Sequence, residues 1–356
     1  MKKTELSLGP VMLDVAGLEL SAEDRDILRH PLVGGVILFS RNYASTEQLT
    51  ALTREIHALR KPRLLVAVDH EGGRVQRFRD GFTVLPAARR IGQAWDHDHR
   101  RGRRLAEASG WVMAAELRAS GLDFSFAPVL DVDHGLCEVI GERAFHRDPE
   151  VVGHLGFAMM QGMSRAGMSA VGKHFPGHGG VVEDSHVAIP HDRRDISDII
   201  RNDGWPFQHL IANGLAALMP AHVIYDRVDS RPAGFSSVWL QDVLRDSWAF
   251  EGVIFSDDLD MAGAGAIAGD HAERARAAVA AGCDVVLICN NRPGAVDILD
   301  HAGLEIDPRV HLRMVRLHGR HDIGWPALTA SEEWQQATTL LRRYQDDSTL
   351  ELDFNT

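Results

Sequence analysis

Three short stretches of the chain hold most of the side chains able to do chemistry. The densest is Lys173-His174-Phe175-Pro176-Gly177-His178-Gly179-Gly180, followed by Asp184-Ser185-His186. Asp184 and His186, two residues apart, can bring both side chains to one side of an extended loop, where the carboxylate orients the imidazole and stabilises its protonated form. A histidine tuned upward in this way can give a proton to a leaving group and take one back from water, and the nearby glycines would let the loop close over a substrate. The same imidazoles and carboxylate are conceivable zinc ligands, but their spacing is irregular and Lys173 would set a competing positive charge beside an ion. A His–Asp pair of structural use alone is the plainer alternative.

The second stretch, Phe255-Ser256-Asp257-Asp258-Leu259-Asp260-Met261, puts three acids in four residues after an apolar run. Adjacent residues of a strand point opposite ways, which predicts that one of Asp257 and Asp258 enters a site. A carboxylate there can attack an acetal carbon and form a glycosyl ester, while a second group protonates the departing oxygen and then activates water. Asp260 reads as a helix cap. The third stretch, Asp69-His70-Glu71-Gly72-Gly73-Arg74-Val75-Gln76-Arg77, is suited to gripping a polar ligand such as a sugar through charge-assisted hydrogen bonds. A tight turn with internal ion pairs would have the same composition. Gly141-Glu142-Arg143-Ala144-Phe145 and Ala221-His222 could add ligand contacts; alternatively Arg143 pairs with Glu142 or Asp148, and His222 is a core histidine.

These segments need a frame that gathers them. Eight runs rich in Val, Ile, Leu and Phe recur: 11–15, 34–39, 64–69, 124–128, 170–174, 216–221, 252–256 and 284–289. Continuous rather than alternating apolar runs are expected of parallel strands covered on both faces, each followed by a crossover helix. Ser45 and Gln48 form a capping-box pattern, and Asp148-Pro149 opens a helical segment to about Arg165. Further helices are expected over 101–120, 195–212, 237–246 and 271–281. The strand starts lie 23 to 60 residues apart, each gap long enough for a right-handed crossover. Eight such units predict an α/β fold of the (β/α)8 barrel type as a single catalytic domain over 1–304, with 305–356 as a helical appendage and polar tail. A doubly wound open sheet shares the alternation, but no Gly-x-Gly-x-x-Gly follows the first strand. In a barrel, Asp14, Arg41, Asp69, Asp131, His174, His222, Asp257 and Asn290, all at or just after a run's end, would converge on one mouth.

Composition narrows the classes further. The 356 residues are 45% apolar and 25% charged, which excludes disorder, collagen-like repeats and a disulfide scaffold. A net charge of −12 repels nucleic acid and anionic lipid, and neither is expected as a partner. Glu5, Gly9, Pro10 and Asp14 interrupt any apolar core of an export signal, and no run is long enough to span a membrane. Three cysteines, Cys137, Cys283 and Cys289, lack metal-type spacing and suit a reducing compartment, so a cytoplasmic location is expected.

Taken together, Asp69-His-Glu-Gly-Gly-Arg-Val-Gln-Arg77, Gly-Glu-Arg143-Ala-Phe, Lys173-His-Phe-Pro-Gly-His-Gly with Asp184-Ser-His186, and Ser256-Asp-Asp-Leu-Asp-Met resemble glycoside hydrolase family three. Within it they are similar to the single-domain bacterial β-N-acetylhexosaminidases of peptidoglycan recycling, from about Leu8 to Ala302. The resemblance implies a (β/α)8 barrel, no cofactor, no metal, and a small-molecule sugar substrate. The implied activity is cleavage of terminal β-linked N-acetylglucosamine, in particular from 1,6-anhydro-N-acetylmuramyl peptides in the cytoplasm. It implies Asp257 as nucleophile, His186 supported by Asp184 as general acid/base, and Asp69, Arg77, Arg143, Lys173 and His174 as holders of the nonreducing sugar. His70 stands where relatives often carry Gln, and Asp260 where Ser or Asn is common. Larger relatives have a second α/β domain, for which the chain after the barrel is too short. A phosphorylase stays open because a histidine acid/base does not repel phosphate. So do a metal hydrolase using His174, His178 and His186, and a sugar-binding protein without catalysis. Oligomeric state cannot be read from the sequence.

Overall fold

All eight apolar runs form strands: β1 (Val11–Leu13), β2 (Val33–Leu38), β3 (Leu65–Val68), β4 (Phe124–Ser125), β5 (Val171–Phe175), β6 (Ala217–Pro220), β7 (Val253–Asp258) and β8 (Val285–Ile288). The structure, a computed structural model, describes residues 7–182, 189–266, 269–321 and 323–345. Neighbouring strands are parallel, in the order β4-β3-β2-β1-β8-β7-β6-β5. Bridges from Phe124 to Ser169 and from Val129 to Lys173 join β4 to β5 and close the ring. This is the (β/α)8 barrel expected from the sequence. Its strands carry no alternation because both faces are covered: all six residues of β2 are buried. Three aromatic rings, Phe124, Phe126 and Phe255, lie 5.3–5.5 Å apart by centroid.

The crossovers show where local chemistry decides boundaries. In α2 (Thr46–Ala58) the Ser45 hydroxyl accepts from Gln48 N at 3.2 Å. The reciprocal half of the capping box is missing, since Gln48 Oε1 accepts from Ala44 N at 2.9 Å instead. Beyond α3 (Ala88–His97), α4 (His99–Ala119) begins two residues before Arg101 because the Asp98 carboxylate caps it through Arg100 N and Arg101 N. Asp148 and Pro149 open α5 (Pro149–Arg165) as the sequence implies. The helix expected over 195–212 breaks into α6 (Ile196–Arg201) and α7 (Trp205–Ala212). Pro206 has no N–H to continue the ladder across that junction. A helical segment at Val238–Ser247, α8 (His271–Ala281) and α9 (Arg292–His301) complete the ring, with α1 (Ala22–Leu28) after β1.

After Leu304 come α10 (Pro308–Met314), α11 (Trp325–Ala330) and α12 (Glu332–Gln345). Met314, Leu317, Leu328 and Leu341 join the same apolar core as the barrel. Among the described residues no helix is long and apolar enough to cross a membrane.

Candidate active site

A cavity of about 360 Å³ opens at the C-terminal ends of the strands. Asp69, Arg77, Arg143, Lys173, His174 and Asp257, six of the residues singled out from the sequence, all line it. The other two, Asp184 and His186, lie outside the described residues.

An ionic ladder forms one wall. Lys173 projects from β5, and its Nζ lies 2.7 Å from both Asp69 Oδ1, just past β3, and Glu71 Oε1. Glu71 also accepts two bonds of 2.8 Å from Arg143 Nε and an Arg143 terminal nitrogen, a planar paired geometry that a lysine could not supply. Arg143 therefore pairs with Glu71, not with Glu142 or Asp148. Burial works to raise the Glu71 carboxyl, but Arg143 and Lys173 outweigh it and hold it far below the usual carboxylate range. Burial likewise favours neutral Lys173, yet Asp69 and Glu71 push its ammonium higher. Arg77 stands 4.0 Å from Asp69 and lies over the Phe39 ring, 5.7 Å from its centroid. Sequence reading takes Asp69 from this motif and passes over Glu71; only the tertiary placement shows that Glu71 joins the two cations.

A second group, built on His174 and His178, also borders the cavity. Asp131, fully buried after β4, accepts from His174 N at 3.2 Å and His178 N at 2.7 Å through one oxygen. Its other oxygen lies 2.7 Å from His174 Nδ1. This fixes the imidazole's orientation and turns Nε2 away from the carboxylate. Burial opposes ionisation of Asp131, but the His174 charge and the bonds from both histidines prevail and lower it. His178 is pulled below its ordinary range, chiefly by burial and then by His174. Its Nδ1 lies 3.5 Å from Cys137 Sγ. Among the described residues no group of three His, Cys, Asp or Glu side chains could hold a metal ion; the metal reading also needs His186, which lies outside them.

Both Asp257 and Asp258 line the cavity, against the one-in, one-out expectation. The register between β7 and β8 shifts between Phe255 and Asp258, which breaks the regular alternation. Asp257 Oδ1 accepts from Asp258 N at 2.8 Å. Asp258 Oδ1 accepts from Cys289 N and Asp260 N, each at 3.0 Å. Burial pushes Asp258 up to about 7, with the Asp257 and Asp260 charges adding to it against those two N–H donors. The folded chain thus holds this proton more tightly than the unfolded one. Ionising it costs stability progressively from about pH 4, the unfolded value, to about pH 7. Asp258→Asn is expected to gain about 2–4 kcal/mol relative to wild type at pH 8 and little at pH 4. Denaturant melts at both values check this; equal gains would contradict it.

The remaining sequence candidates take supporting places. Asn290 lines the cavity and accepts from Arg41 at 2.6 Å, while its own N donates to Asp14 at 2.7 Å. His222 is fully buried, stacks on Phe235 at 5.5 Å and meets Asp258 O at 3.0 Å, as a core histidine does. Asp260 is no helix cap: its Oδ1 bonds His271 and Asn291. The loop glycines answer to packing. A Cβ on Gly179 would stand 1.8 Å from Val132 O, and one on Gly177, at φ +144°, 2.6 Å from Asp203 Cβ.

Comparison with known proteins accords with this geometry. Residues 6–316 match the glycosyl hydrolase family 3 N terminal domain. A β-hexosaminidase of Thioalkalivibrio sulfidiphilus is 60% identical over 98% of this chain and 100% of its own. The crystal structure of NagZ from Neisseria gonorrhoeae in complex with N-trifluoroacetyl-D-glucosamine superposes with a TM-score of 0.90 at 44% identity, covering 96% of this chain and 99% of that one. A family 3 β-N-acetylglucosaminidase from Paenibacillus sp. gives 0.85 at 31% identity, covering 97% of this chain and 68% of that one.

Proposed function

The chain belongs to glycoside hydrolase family 3 and is a β-N-acetylhexosaminidase; from that premise we propose that it is a retaining, exo-acting β-N-acetylglucosaminidase. Its substrates are N-acetylglucosaminyl 1,6-anhydro-N-acetylmuramyl peptides released in cell-wall recycling, and it works in the cytoplasm. The observation that carries this reading is the convergence, in one cavity, of Asp257 with the Asp69–Lys173–Glu71–Arg143 ladder and the oriented His174. The ladder, Arg143 included, and His174 hold the hydroxyls of a nonreducing sugar, Arg77 completing the grip, so that the anomeric carbon faces Asp257.

Asp257 then attacks that carbon. The bond to the leaving oxygen breaks as His186, charged with the help of Asp184, supplies a proton, and a glycosyl ester forms on Asp257. Water deprotonated by His186 cleaves the ester and releases the sugar with its original configuration. Asp258 suits this role less well, since a carboxyl that keeps its proton up to about pH 7 is a weak nucleophile below it.

Incubation with an anhydro-muropeptide tests the substrate. The expected product is free N-acetylglucosamine, first seen by NMR as the β-anomer, in the same yield with and without phosphate. A sugar 1-phosphate as main product would replace hydrolysis with phosphorolysis, and no release from this substrate would remove the recycling role.

A further inference from the structure

The C-terminal helices reach the sugar-holding loop by two separate routes. Residues 69–87 run from β3 to α3 and bring Asp69, Glu71, Arg74 and Arg77 to the cavity. On the first route, Trp325 of α11 meets Phe82 edge-on, 5.1 Å away at 87°. Phe82 packs in turn on His70 and Phe78 at 5.7 and 5.6 Å, and Trp325 Nε1 is fixed to Ser120 Oγ at 2.9 Å. On the second, Trp334 Nε1 of α12 donates to Glu116 Oε1 at 2.9 Å. The same α4 carboxylate accepts from Thr83 N at 2.9 Å and Thr83 Oγ1 at 2.6 Å. Glu116 is 1% exposed, so water cannot replace a donor it loses.

The loop passes that restraint inward. The Gln76 side chain donates to Phe78 O and Thr83 O at 3.1 and 3.0 Å and accepts from Leu85 N at 2.9 Å. Thr83 is thereby joined on one side to α4 and α12, and on the other to the short strand Val75–Gln76, next in sequence to Arg77. Neither Thr83, Glu116 nor Trp334 lines the cavity.

We propose that Thr83, Glu116 and Trp334 are positioning residues for the sugar subsite, through which the C-terminal helices hold the 69–87 loop where Asp69 and Arg77 meet the substrate. The inference rests on the reading of Asp69 and Arg77 as sugar ligands. A loosened loop weakens ground-state and transition-state binding together, which raises KM and spares kcat. Loss of folded protein lowers apparent kcat and leaves KM alone.

Trp334→Phe keeps the packing and removes the donor; Thr83→Val removes the hydroxyl, and Thr83→Ser restores it. With active-site-titrated enzyme and an aryl N-acetyl-β-glucosaminide, Trp334→Phe and Thr83→Val are expected to raise KM about tenfold with kcat within about twofold. Thr83→Ser is expected to match wild type, and Asp69→Asn, run alongside, to raise KM by itself. A raised KM in Asp69→Asn with wild-type KM in Trp334→Phe and Thr83→Val would overturn the inference and leave the sugar site standing. Unchanged KM in Asp69→Asn would overturn the sugar-site reading instead.

Discussion

Asp257→Ala is expected to lower turnover of an aryl N-acetyl-β-glucosaminide by about four orders of magnitude and to leave the fold intact, the effect of removing a covalent nucleophile as proposed. The side chain ends in the cavity, and Asp257 Oδ1 accepts from the adjacent Asp258 N at 2.8 Å, a local bond worth about 1 kcal/mol net. The ladder of Asp69, Lys173, Glu71 and Arg143 remains, so substrate still binds and the loss falls on kcat. Azide, a small anion, is expected to restore part of the turnover and to yield the α-glycosyl azide, because it would attack from the face that Asp257 occupied. Steady-state kinetics and product NMR read both outcomes. A loss below about tenfold would move the nucleophile elsewhere.

The second large effect concerns stability. Glu71→Ala takes the shared anion from two cations, Lys173 and Arg143, whose side chains are 3% and 10% exposed. Removing one partner from such a buried arrangement costs about 3–5 kcal/mol, because the charges left behind regain little water. The pH dependence follows from the direction of the shift. Glu71 is more acidic in the folded chain than in the unfolded one, so its contribution is full above the unfolded value of about 4.3 and fades as pH falls toward the folded one. Wild type and variant are expected to differ most at neutral pH, with a gap that begins to narrow as pH falls below about 4. A gap that widens on acidification would contradict the ladder as the source of the effect.

How much was legible beforehand follows the range of the interactions. The eight strands could be read because burial on both faces leaves continuous apolar runs, and the runs' ends already pointed to Asp69, His174 and Asp257. The helix start at Asp148-Pro149 follows from a cap within three residues, whereas the expected start at Arg101 lies two residues late because the Asp98 cap was passed over. Contacts between distant segments were not legible. Asp131 stood out only as a strand-end acid, whereas its bond to the His174 imidazole spans 43 positions. Glu71 reaches Arg143 across 72, and Trp334 reaches Glu116 across 218. The sequence pattern therefore points to helices after Leu304 without showing what they touch. The acid pair differs for another reason: strand alternation admits only one of Asp257 and Asp258, but both line the cavity where the register shifts at the end of β7. Gly177 and Gly179 suggested mobility by type, while their surroundings reveal backbone and side-chain atoms where a Cβ would sit.

One measurement bears most directly on the covalent route. The enzyme is incubated with a slowly turned-over fluorinated N-acetylglucosaminide, digested with protease and mapped by mass spectrometry. The expected result is a single glycosyl adduct on the peptide containing Asp257, absent from Asp257→Ala. An adduct on Asp258 or another residue would contradict the assignment. Configuration-retaining hydrolysis with no adduct at all would assign the attack to the substrate's own acetamido group.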